Sequence, residues 1–343
     1  MIGRMLAVAL LAVAWAFPAV AQLKPDAEKV LYEAAKAEGS INWYVAHYST
    51  EIAERYGRAF TEKYPGVKVN VVRATSGVVF QRVVQELRSG PPQADVLASA
   101  DISHYLELKR RGQLETYRPA NSATLIEPMR QIDPDGQYHA VSFGLVVLMR
   151  RTDKVKVEDA PKAWTDLHDP RWRNQIALSH PSFSGSVTTW TAALNQAYGW
   201  SFFDKLEKNK PQIGRSLLDT NAMLKAGERT VGMALLQAAA QDQDKGEPIA
   251  PIYPSDGAVV IAGSMAIVKG APHPNAAKLF MEYLQGEAFD RLQSQDFFEP
   301  MHEGVPSRTG LVLKNTKLLI ISPEALLKAA PEVKEKWRDT FGN

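Results

Sequence analysis

Apolar positions along this chain follow two alternating rhythms: short blocks of consecutive strand formers, and longer stretches with a period near 3.6 residues. Ala27–Glu38 carries the helical period and stops at Gly39, and Ile41–Ala46 is a buried-strand block. Thr50–Lys63 is helical again, Pro65-Gly66 turns the chain, and Val67–Arg73 is a second strand. Gly77 opens a helix with Val79, Val83, Val84 and Leu87 on one face, and Pro91-Pro92 ends the unit. Asp95–Ser99 is a third strand, and Asp101–Arg111 a helix closed by Gly112. These repeated strand–helix units describe half of a doubly wound domain.

A loop-rich stretch punctuated by Pro119, Pro128 and Pro134 separates this set from His139–Arg151, a long extended segment. A second set begins at Ile176–Ser179, with helices over Gly185–Tyr198, Ser201–Asn209 and Asn221–Ala226 and strands at Val231–Leu235 and Ile249–Tyr253. Ala258–Lys269 is another long extended segment, and helices at His273–Gln285 and Pro323–Thr340 finish the chain. The expected fold class is therefore α/β, with two lobes that are each a doubly wound sheet with helices, joined by two crossover strands. The lobes are expected over 22–142 plus 262–305 and over 143–261, with 306–343 free to pack on either. A cleft between lobes is the natural ligand site.

The first residues change the picture by setting a location. Arg4, the apolar run Met5–Phe17 and the small residues of Ala19-Val20-Ala21 make residues 1–21 a secretory signal peptide, with a mature chain expected to begin at Gln22. No cysteine follows to carry a lipid, so the expected product is free in the periplasm. Removing the leader leaves 322 of 343 residues, long for one compact core. The formal charge of +2 gives no support to nucleic-acid binding. The absence of cysteine excludes disulfides, thiolate metal sites and cysteine nucleophiles together. Ser184 lacks the flanking glycines of a nucleophile elbow, and there is neither a His-Glu-x-x-His helix nor a phosphate loop ending in Lys-Ser or Lys-Thr. An enzyme is not expected.

Three blocks carry a resemblance. The first runs Pro161-Lys162-Ala163-Trp164-Thr165-Asp166-Leu167, then Asp169-Pro170-Arg171-Trp172, and on through Ile176, Ala177, Pro181, Ser184 and Gly185. The second is Gly227-Glu228 before Val231-Gly232. The third joins Gly263–Val268 to Ala271-Pro272-His273-Pro274-Asn275-Ala276-Ala277 and Phe280-Met281-Glu282-Tyr283-Leu284. In these the chain resembles the periplasmic solute-binding proteins of ABC importers, in the branch that includes ferric-iron, phosphonate, sugar-phosphate, thiamine and polyamine binders. The resemblance implies a type II two-lobed binding protein, acting as a monomer, that closes on a small molecule and docks on a membrane permease. It implies no cofactor. A ligand-sensing subunit for a membrane receptor would keep the same fold and cleft.

Two strand-to-helix junctions, Thr75-Ser76-Gly77 and Ser184-Gly185-Ser186, are candidate anion sites, because free N–H groups and the positive end of the helix dipole meet there. Each is also what a plain helix cap looks like. In the first strand-to-helix loop Tyr44, His47 and Ser49 are candidates, with Trp43 turned to the core. Tyr253 and Asp256 stand before the second crossover, where Asp256 is either a turn residue or a partner for an ammonium group. The expected ligand is thus an anionic or zwitterionic organic solute. Ferric-iron relatives commonly place adjacent tyrosines after the segment matching Val231–Leu235; here the chain reads Leu235-Leu236-Gln237-Ala238-Ala239-Ala240, so no metal ligands are assigned and iron stands as the alternative.

Overall fold

The computed structural model describes residues 22–127, 129–311 and 315–342, so the leader expected over 1–21 lies outside the described residues. The first lobe begins with helix α1 (Pro25–Glu38), strand β1 (Ser40–Val45), helix α2 (Thr50–Lys63), strand β2 (Lys68–Arg73), helix α3 (Ser76–Ser89), strand β3 (Val96–Ser99) and helix α4 (Ile102–Arg110). β1 pairs in parallel with β2 on one side and β3 on the other. As a central parallel strand it is covered on both faces, which is why its residues read as one apolar block. Trp43 joins Tyr48, Tyr56, Phe60 and Phe280 on one face, and Tyr44 joins Val79, Val83, Leu97 and Tyr105 on the other.

Strand β4 (His139–Arg151) then crosses to the second lobe, which holds β5 (Ile176–Ser179), α5 (Gly185–Tyr198), α6 (Ser201–Glu207), β6 (Gln212–Gly214), α7 (Leu217–Ala226), β7 (Val231–Leu235), α8 (Leu236–Asp244) and β8 (Ile249–Ile252). Strand β9 (Ala258–Ile267) returns, followed by α9 (Pro274–Leu284), α10 (Glu287–Gln295), β10 (Leu318–Leu319) and α11 (Pro323–Phe341). The strand order β2-β1-β3-β9-β4-β7-β5-β6 is one continuous ladder with β8 on β4 and β10 on β9. β9 and β4 lie antiparallel in its middle. β9 pairs with β3 through Ser264–Ile267, and β4 pairs with β7 through Val146–Arg150. The two parallel sets, β2-β1-β3 and β7-β5-β6, are thus joined by two shared strands, the arrangement expected from the two long extended segments.

Trp164 and Trp172 are core residues of the second lobe, packed with Trp190, Phe202 and Phe203. The indole of Trp164 also donates to the carbonyl of Gly257 at 2.8 Å. α9 buries Ala277, Phe280, Met281 and Leu284, the stripe that its period predicts. α8 and α10 were not expected: the first, Leu-Gln-Ala-Ala-Ala-Gln-Asp-Gln-Asp, has no wide apolar face to announce it.

The sequence leaves the docking of the last helix open. In the structure Ser322 caps α11 by accepting from the Ala325 amide at 3.2 Å, and Trp337 enters the second-lobe core beside Phe203 and Trp190. Its other buried residues, Leu326 and Val333, meet Ala192 of α5 and Ile102 of α4, so the helix touches both lobes. Trp337 is fully buried, and Trp337→Ala is expected to cost about 3–5 kcal/mol of stability. Denaturant unfolding checks this; a loss below about 1 kcal/mol would mean that the helix is not part of the core.

Candidate functional site

A cavity of about 310 Å³ lies between the lobes, and its floor is the β4–β9 ladder. Ser142, Gly144, Ile261 and Gly263 face into it. The alternate residues Val260, Ala262 and Ser264 face a second, more apolar cavity of about 270 Å³ behind the ladder, roofed by Ile320–Pro323 and Leu326. The walls of the cleft follow one rule. Residues 46–49, Arg73 with Thr75-Ser76, and Ala100 lie at or just beyond the ends of β1, β2 and β3; residues 183–186, 216–218 and Leu235 with Gln237-Ala238 lie at or just beyond those of β5, β6 and β7. All six loops leave the carboxyl ends of parallel strands, where open α/β sheets bind their ligands.

Those loops deliver the N-termini of five helices, α2, α3, α5, α7 and α8, to the cleft. Two are closed by their own caps: Ser49 Oγ accepts from the Ile52 amide at 3.2 Å, and Ser216 forms a reciprocal box with Asp219. α3 and α5 differ. Thr75 and Ser184 stand at their cap positions, yet neither side chain makes the capping bond. α8, entered from Leu235, has no side-chain cap either. First-turn amides without a helical partner and the dipole's positive end favour an anion there.

Side chains extend the same chemistry. Arg73 donates through Nε to the Tyr48 carbonyl at 3.2 Å, and no carboxylate among the described residues pairs with its guanidinium. No aspartate or glutamate lines the cavity among the described residues. His47 has both ring nitrogens shut off from solvent and unpartnered, and so does Gln237 its Oε1. A buried polar atom left unpaired costs about 1–3 kcal/mol, which sets these two apart from the other side chains that line the cleft. Burial pushes the His47 imidazole down from 6.5 to about 3, which keeps the ring neutral.

Glycines set how closely the walls approach. A Cβ on Gly185 would lie 3.0 Å from the Asp101 Cα and 3.1 Å from the Ala100 carbonyl oxygen, so here the second lobe touches the first backbone to backbone. A Cβ on Gly263 would collide with Ser142 Oγ and fall 3.1 Å from the His47 ring. Neither position accepts a side chain without displacing the floor or parting the walls.

Of the residues singled out by sequence, His47, Ser49, Thr75, Ser76, Ser184, Gly185 and Ser186 line this cavity together. Four others do not. Tyr44 is buried under α3 with its hydroxyl donating to Glu86 at 2.7 Å, because a central strand has no face left for a ligand. Gly77 lies outside the lining, one residue into the exposed start of α3. Tyr253 packs against the apolar cluster of Leu125, Phe143 and Met301. Asp256 spends both carboxylate oxygens inside its own lobe, accepting from the Trp164 amide at 3.0 Å and the Tyr198 hydroxyl at 2.8 Å. Asp256 lies outside the cavity lining, so the structure lends no support to an ammonium partner there. Ser142, Ser216 and Gln237 line the site without having been singled out. Of these, Ser216 carried a legible signal, the Ser-x-x-Asp spacing of a helix start.

A profile of the family described as bacterial extracellular solute-binding protein matches residues 92–328. A Salmonella typhimurium protein provisionally named as a 2-aminoethylphosphonate-binding periplasmic protein is 24% identical over 282 residues, 78% of this chain and 77% of that one. The periplasmic binding protein AfuA of Actinobacillus pleuropneumoniae, solved with fructose 6-phosphate bound, matches at a TM-score of 0.78 and 25% identity over 89% of this chain and 99% of its own. Iron-bound HitA of Pseudomonas aeruginosa matches at a TM-score of 0.75 over 88% of this chain and 99% of its own; at 20% identity that likeness concerns the fold.

The neutral His47 has a measurable signature. Because its folded value lies below its unfolded one, the proton is taken up on unfolding, and stability falls as pH drops below about 6.5 towards 3. Burial displaces His104, His139 and His168 in the same direction, adding to the fall. In His47→Asn the unfolding free energy of the empty protein is expected to decline less steeply with acid, by at most about 1.4 kcal/mol per pH unit. Equal slopes in variant and parent would contradict a buried neutral ring.

Proposed function

The chain belongs to the bacterial extracellular solute-binding protein family, and on that footing we propose that it captures a small organic anion, bearing a phosphoryl or carboxylate group, between its lobes. It is a periplasmic solute-binding component of an ABC transporter, a class whose task is capture and delivery to a membrane permease rather than catalysis. The observation that carries the anion reading is the pair of uncapped helix starts, Thr75-Ser76 from one lobe and Ser184-Gly185 from the other, facing one cavity without a lining carboxylate among the described residues. Arg73 supplies a positive charge at the same edge. Because the two helices belong to different lobes, an anion bridging them favours the closed state over the open one, which is how binding drives closure.

The relatives named above span two phosphorus-containing anions and iron. The donor set here favours the anions. A hard cation takes phenolate and carboxylate oxygens, whereas the one phenol lining this cavity among the described residues is Tyr48, whose hydroxyl already accepts from Gln293 at 2.7 Å.

Two measurements test the reading. After unfolding and refolding to strip carried solute, fructose 6-phosphate, 2-aminoethylphosphonate, small carboxylates and ferric citrate are compared by thermal unfolding; a ligand at a hundred times its Kd adds about 2.7 kcal/mol. Stabilisation by a phosphoryl or carboxylate compound is expected, and stabilisation by ferric iron alone would overturn the proposal. Ser76→Ala combined with Ser184→Ala is expected to weaken anion binding at least about tenfold, roughly 1.4 kcal/mol, while the empty protein unfolds as before. Unchanged affinity in the double variant would remove these two serines from the site.

A further inference from the structure

Among the described residues, several buried side chains hold polar atoms without a hydrogen-bond partner, and two of these side chains line the cleft: His47, through both ring nitrogens, and Gln237, through Oε1. They come from different lobes, His47 from the loop after β1 and Gln237 from the first turn of α8. Each stands over a glycine of the floor. The His47 ring lies 3.1–3.2 Å from where a Gly263 Cβ would be, and Gln237 Oε1 lies 3.5 Å from where a Gly144 Cβ would be. In the ladder Gly263 pairs with Ser142 and Gly144 with Ile261, so the two stations are two residues apart along the strands. That is about 7 Å. The bare glycines let both side chains settle directly against the floor, and both side chains line the cavity that a ligand would enter.

We propose that His47 and Gln237 are a neutral specificity pair that reads hydroxyl groups on the body of the bound anion, so that the cleft selects a polyol phosphate or hydroxycarboxylate over an anion carrying an ammonium group. The assignment rests on the anion reading above and narrows it. A neutral imidazole offers one donor and one acceptor, and Gln237 Oε1 offers an acceptor. A hydroxyl, which donates and accepts at once, satisfies every one of these atoms. An ammonium group brings only donors and a full charge. It would find no carboxylate among the described lining residues and would lie in one cavity with Arg73. Burying an unpaired charge is the less favourable course.

The test is titration calorimetry on the ligand-stripped full chain with four probes: fructose 6-phosphate, glycerol 3-phosphate, ethyl phosphate and 2-aminoethylphosphonate. The two polyol phosphates are expected to bind at least about tenfold more tightly than the other two, a difference of about 1.4 kcal/mol. Gln237→Leu and His47→Phe are each expected to erase that preference, the polyol phosphates losing at least about tenfold more affinity than ethyl phosphate. Gln237→Glu is expected to reverse it in favour of 2-aminoethylphosphonate, an outcome that a variant with general damage cannot give. Tight binding of 2-aminoethylphosphonate by the parent chain, or equal loss of all four probes in Gln237→Leu with Gln237→Glu failing to gain the amine, would overturn the specificity pair and leave the anion site standing. Failure of all four probes together with the small carboxylates would overturn the anion reading and this assignment with it.

Discussion

The antiparallel pairing of β4 with β9 is the constraint from which the rest of the structure follows. Each strand is long enough to serve two partners, β9 reaching β3 in one lobe and β4 reaching β7 in the other. Their shared ladder closes one face of the cleft. It leaves the two parallel sets pointing their carboxyl-end loops at each other across it. The cleft is thus a by-product of strand direction: six loops converge because six strands end there. Residues distant in sequence become neighbours through a rule that acts on backbone alone.

Inside that frame the chemistry is divided between backbone and side chain. Helix starts and one arginine give the cleft its positive character, while the floor holds glycines and small residues where bulk would part the walls. Gly185 belongs to the candidate site in a second sense, since it is the seat on which one lobe rests against Ala100-Asp101 of the other. Substitution there would alter closure and ligand contact together, whereas Ser76 and Ser184 would alter contact with less effect on closure.

The architecture was legible in sequence because its signals are local. Period and punctuation announce β1 to α4, and two unusually long extended segments announce the shared strands. α8 escaped because Ala238-Ala239-Ala240 followed by alternating Gln and Asp carries no stripe, although Ala239 and Ala240 are buried. Within the site the helix starts were legible, since Thr75-Ser76-Gly77 and Ser184-Gly185-Ser186 are recognisable as residue types at strand–helix junctions. Tyr44 was misplaced because alternation says which face a residue takes and is silent on whether that face is already covered. Asp256 was misplaced because its true partners, Trp164 and Tyr198, are 92 and 58 residues away. Gln237 could not be found at all from pattern: its significance is an unpaired oxygen, which exists only once the neighbours are in place.

The uncapped helix starts carry a consequence for kinetics and for the medium outside the cell. Backbone dipoles in a shielded cleft act at distances far shorter than the Debye length, about 8 Å in ordinary saline, so mobile ions have little access to screen them. A chain whose formal charge is +2 also casts little long-range field, so its ligand arrives by unassisted diffusion. For the anion site proposed above, selectivity of this kind resides in how long a captured solute stays, and is expected to hold as the surrounding salt rises and falls.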